Sequence, residues 1–68
     1  MKDTKDFKKT LWEFLDGFDF VGRFEVVGAI EQYYMDFYGT EYVYYSDLVL
    51  FDELAQDYID RKGLKFDD

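Results

Sequence analysis

Residues 46–63 read SDLVLFDELAQDYIDRKG, and their spacing decides the fold. Leu48, Phe51, Leu54, Ala55, Tyr58 and Ile59 recur at three- and four-residue intervals, which places them on one face of an α-helix. Asp52, Glu53, Gln56, Asp57 and Asp60 fall on the other face. Ser46 or Asp47 is the expected N-terminal cap, because a short oxygen-bearing side chain satisfies the first free N–H groups. Arg61 and Lys62 complement the negative end of the helix dipole, and Gly63 ends the helix.

Upstream, residues 23–38 carry Val26, Val27, Ile30, Tyr34 and Phe37 on one side, with Glu25, Glu31 and Gln32 off it. This predicts a second helix, stopped by Gly39 in a left-handed conformation. Gly28 lies inside it, costs about 1 kcal/mol against alanine, and is expected to mark a close helix crossing. A first helix is predicted over residues 5–16 from Phe7, Leu11, Phe14, Leu15 and Phe18, with Asp3 or Thr4 as cap and Gly17 as stop. Residues 18–22 form a connector. Residues 41–45 (EYVYY) have strand propensity, but a lone strand has no partner, so a short extended segment or a single helical turn is expected there. The predicted fold is all-α: a small bundle of three or four short helices in a single acidic domain over residues 1–68.

Sixty-eight residues bury only roughly 60 % of the surface of the unfolded chain. There is no cysteine to add a disulfide and no histidine to serve as base, pH switch or metal ligand. The compensating resource is aromatic mass: eight Phe, seven Tyr and one Trp. That content argues against a disordered acidic tail. No apolar run reaches the roughly 18 residues that span a bilayer. No apolar stretch follows the basic start, so a secretory signal is not expected, and the expected location is the bacterial cytoplasm.

Charge is segregated along the chain. Between Thr10 and Asp60 stand Glu13, Asp16, Asp19, Glu25, Glu31, Asp36, Glu41, Asp47, Asp52, Glu53, Asp57 and Asp60 against a single base, Arg23. The other bases lie at the two ends, and the net charge of the chain is −8. Such a chain is repelled by phosphates and anionic lipid, which excludes direct nucleic-acid or membrane binding as the expected activity. Acids on an outward helix face commonly do no more than solvate it. Here their segregation, and the one-turn rows Asp52–Gln56–Asp60 and Glu53–Asp57, point instead to a surface that imitates the repeated charge of a nucleic-acid backbone.

Six of the seven tyrosines fall within residues 33–45. Tyr34 and Tyr58 are expected to be half-buried with hydroxyls in water. At least one ring of the Tyr44–Tyr45 pair is expected to be exposed, which makes a protein contact or a homodimer seam.

The segment Phe37-Tyr38-Gly39-Thr40-Glu41-Tyr42, followed by Ser46-Asp47-Leu48, Phe51, Leu54-Ala55, Tyr58-Ile59 and Gly63-Leu64, resembles antirestriction proteins of the ArdA type. The shared features are an aromatic-x-Gly segment and an acidic helix with an Ala-x-x-Tyr-Ile pattern. The chain is far shorter than that family. The resemblance implies an acidic DNA mimic encoded by a phage or mobile element. In size and composition, though not in any motif, the chain is also similar to anti-CRISPR proteins.

An enzyme is not expected. Ser46, Thr4, Thr10 and Thr40 are the only hydroxyl nucleophiles besides tyrosine, and no histidine activates them. No EF-hand or phosphate loop is present, so no cofactor or metal is expected. The expected function is inhibition of a basic nucleic-acid-binding protein, a nuclease or CRISPR effector, by a DNA-like surface. Its acids are Glu41, Asp47, Asp52, Glu53, Asp57 and Asp60, and its contact aromatics are Tyr42, Tyr44 and Tyr45. The alternative is an adaptor or homodimer that uses the tyrosine face, with the acids only solvating.

Overall fold

A computed structural model describes residues 4–66. They form three helices: α1 (Thr4–Leu15), α2 (Arg23–Tyr38) and α3 (Tyr45–Lys62). The expected all-α bundle is what the chain adopts, with no strand among the described residues.

Phe7, Leu11 and Leu15 of α1 lie four residues apart and are buried, so they form one stripe down the helix. Val26 and Ile30 of α2 face them, with Phe51, Leu54, Ala55, Tyr58 and Ile59 from α3. Each fully buried aliphatic or Phe side chain stabilises the fold by about 1.5–3 kcal/mol. Aromatic contacts extend this core. The Phe7 ring meets those of Tyr33, Tyr34, Phe37 and Tyr38 at 5.2–5.8 Å, and Tyr34 meets Phe51 edge-on at 5.0 Å. Phe7, near the start of α1, meets the end of α2, whereas Arg23 at the start of α2 reaches Asp52 and Gln56 of α3. The helices therefore run up, down, up.

Glycine ends α2 and α3 as the sequence predicts. Gly39 (φ 65°) and Gly63 (φ 66°) are left-handed. The following N–H groups close back, Thr40 onto the Met35 carbonyl and Leu64 onto that of Ile59, which is the Schellman pattern. Gly17 acts differently. It has no positive φ, and α1 stops through tightened bonds from Gly17 to Phe14 and from Phe18 to Leu15. Asp3, one expected cap of α1, lies outside the described residues, and Thr4 is itself the first helical residue.

Four expectations are corrected. Helix α3 begins at Tyr45, so Ser46 and Asp47 lie inside its first turn and neither is the N-cap residue. Leu48, assigned to the core face, is 39 % exposed. Gly28 is exposed, and a Cβ built on it meets nothing within 4 Å, so it makes no close crossing. Tyr58 is buried, and its hydroxyl goes to Asp16 rather than to water.

Candidate functional site

The connector between α2 and α3 is held open by its own side chains. After the Gly39 turn, Tyr42 N–H donates to Thr40 Oγ1 and the Thr40 hydroxyl donates to the Tyr42 carbonyl, each at 3.2 Å. Tyr44 then takes an extended conformation (φ −86°, ψ 160°) and becomes the N-cap of α3. Its N–H donates to Asp47 Oδ2 at 2.9 Å, so Asp47 closes the helix from its third position. Of the segment expected to be short and extended, residues 42–44 lie outside any helix or strand, Tyr44 is extended, and Tyr45 is already helical.

This geometry turns the tyrosines outward. Tyr42 is 76 % exposed, Tyr44 75 % and Tyr45 85 %. Tyr38, Leu48, Val49 and Leu50 are also exposed. The three expected contact aromatics thus share the entrance to α3 with an aliphatic group that had not been expected there. The run Leu48-Val49-Leu50-Phe51 carried that signal, because four consecutive apolar residues span more of a helix circumference than one core face can cover. Val21 and Phe24, 79 % and 82 % exposed, lie at the opposite end of α2.

Folding brings bases from the ends of the sequence onto the acidic middle. Lys8 Nζ lies 3.5 Å from Asp57, which also binds Arg61 at 3.2 Å. Lys62 lies 2.9 Å from Asp16. Arg23 lies 2.6 Å from Asp52 and extends to Gln56 at 3.4 Å, and Gln56 donates in turn to Asp60 at 3.0 Å. The expected row Asp52–Gln56–Asp60 is therefore a hydrogen-bonded ladder begun by a cation. The bond from Arg23 holds the Asp52 carboxyl below its ordinary range, and that from Arg61 does the same for Asp57. Lys62, then Tyr58, lowers Asp16. Glu41 and Glu53, by contrast, are exposed and make no ion pair among the described residues.

The six expected acids thus divide by role. Asp47 closes α3, Asp52 and Asp57 are ion-paired, Asp60 ends the ladder, and Glu41 and Glu53 are open. No cluster of three or more acidic side chains among the described residues is placed to hold a metal ion. No described helix is long and apolar enough to cross a membrane. Compared with family models, curated proteins and solved structures, the chain matches none.

Proposed function

We propose that the domain docks on a basic, nucleic-acid-binding protein and blocks it. Tyr42, Tyr44 and Tyr45 form the centre of contact, and the acids guide the approach. The observation that carries this reading is Tyr44. An N-cap favours Ser, Thr, Asp or Asn, yet here a tyrosine holds the position and leaves its ring exposed. Local rules broken without benefit to the fold are expected at functional sites. Tyrosine supplies large contact area with few rotors and a polar tip.

The net charge of −8 supports a basic partner, since complementary charge speeds encounter and excludes acidic competitors. Glu41 and Glu53 serve this role best, because Asp52 and Asp57 are already compensated within the fold. Nucleic-acid mimicry in this reading depends on the overall field and the open acids rather than on continuous charge along α3. The ArdA-type and anti-CRISPR likenesses agree with a nuclease or CRISPR effector as target. The adaptor alternative uses the same tyrosines without the charge.

Capture from bacterial lysate on the immobilised domain, eluted with rising salt and with competing duplex DNA, separates the two. A nucleic-acid-binding protein that DNA displaces, and that neither Tyr44→Ala with Tyr45→Ala nor Glu41→Lys with Glu53→Lys retains, supports the inhibitor. A partner indifferent to salt and DNA replaces it with the adaptor.

A further inference from the structure

Beside the tyrosine surface, the three helices leave a pocket of about 270 Å³ lined by Phe7, Lys8, Tyr34, Tyr38, Leu50 and Leu54. Two of these, Tyr38 and Leu50, are also exposed on the surface described above, so the pocket and the docking surface are continuous. Five of the six linings are aromatic or aliphatic. The sixth, Lys8, has its ammonium 3.5 Å from Asp57, a carboxylate it shares with Arg61, and 5.8 Å from the Trp12 ring.

An apolar hollow left open forfeits contacts on its whole lining, a real loss for a domain with so small a core. We infer that this pocket is the anchor socket of the docking surface, taking one bulky apolar side chain from a Lys/Arg-rich segment of the partner. The inference rests on the docking reading and specifies what docks. The volume falls just below the roughly 300–1,000 Å³ of small-molecule sites, which suits a single side chain. Interfaces concentrate their affinity in such desolvated anchors. The basic flanks follow from charge complementarity. The chain carries −8, Lys8 shares the Asp57 carboxylate with Arg61, and burial, then the charge of Asp47, raises the pKa of the Tyr34 hydroxyl.

The test is an NMR titration of the full chain with two Lys/Ala helical peptides that differ at one central position, Phe or Ala, and with a Glu/Ala peptide carrying the same Phe. The Phe peptide is expected to bind about tenfold more tightly than its Ala counterpart and to shift the Leu50 and Leu54 methyls. Leu50→Trp, a change at an exposed rim position, is expected to remove that difference. The comparison of peptides on the unaltered chain stands even if that variant folds poorly. Equal affinity for the Phe and Ala peptides, with shifts confined to Tyr42, Tyr44 and Tyr45, overturns the socket and leaves the docking surface intact. Equal binding of the Glu and Lys peptides overturns the basic partner, and the docking reading with it. No shift at Leu54 with any peptide overturns the socket.

Discussion

The Tyr58 hydroxyl donates to Asp16 Oδ1 at 2.9 Å across 42 positions of sequence, and Lys62 Nζ reaches the same oxygen at 2.9 Å. The Tyr58 ring stacks on Trp12 at 5.5 Å. One tyrosine therefore joins the end of α1 to the last turns of α3 through packing and a charge-assisted bond together. Tyr58→Phe keeps the packing and removes the bond. A fall in melting temperature of at least about 4–8 °C is expected, the effect of about 1 kcal/mol in a domain this small, and a hydrogen bond to a charged group contributes no less than that. Differential scanning calorimetry checks it.

The same residue sets an alkaline limit. Burial, and then the bond to Asp16, push the Tyr58 pKa up to about 12 from an ordinary 10.0. The folded state holds this proton more tightly than the unfolded one, so the contribution is complete below pH 10.0 and is lost as pH rises towards about 12. Asp16, Asp52 and Asp57 act in the opposite direction. Their folded pKa values lie below the ordinary 3.8, so their contribution is present above that value and is lost as pH falls through the lowered ones. Denaturant titrations across pH are expected to show both limbs, and Tyr58→Phe to flatten the alkaline one.

Tyr44→Ser is expected to stabilise the fold by about 0.5–1 kcal/mol, since it installs a side-chain cap at the start of α3. The same variant is expected to weaken partner binding. Urea unfolding and a binding assay on one preparation measure both. A serine variant that binds as well as the parent would remove Tyr44 from the contact surface.

Gly28→Ala is expected to add about 1 kcal/mol. The position is helical and exposed, and the new methyl meets nothing within 4 Å. A shift in the urea midpoint without a change in slope is the expected signature. A destabilised variant would mean that this face of α2 is covered.

Glu41→Lys with Glu53→Lys changes the net charge from −8 to −4, two units for each substitution. Both side chains are exposed and unpaired by ions among the described residues, so the fold is expected to survive. Association with the Lys-rich Phe peptide is expected to slow about tenfold at low salt, a change readable by stopped-flow fluorescence. Asp57→Lys is a poor choice for this purpose. It would set a third cation against Lys8 and Arg61.

The helices were legible because their core residues obey the helical period: Phe7, Leu11 and Leu15 in α1, Val26 and Ile30 in α2, and Phe51, Leu54, Tyr58 and Ile59 in α3. The turns at Gly39 and Gly63 were legible because the left-handed region is a glycine property. The start of α3 was not. Tyr44 carries no capping signal, and the carboxylate that closes the helix acts from three residues downstream. Exposure of at least one ring of the Tyr44–Tyr45 pair followed from the sequence, and both are exposed, whereas the roles of Asp52 and Asp57 did not. Arg23, the partner of Asp52, and Lys8, one of the two partners of Asp57, lie more than twenty positions away and meet them only through the tertiary fold, whereas Arg61 meets Asp57 from one turn along α3. A charge block in sequence was thus partly compensated in space.

The up-down-up order has a kinetic consequence. Each helix packs mainly on its neighbour in the chain, so contact order is low and the loops to be closed are short. The chain contains no proline, which removes the isomerisation step that slows many refolding reactions. Refolding is therefore expected in a single phase within about microseconds to milliseconds, and a molecule that loses its structure regains its tyrosine surface almost at once.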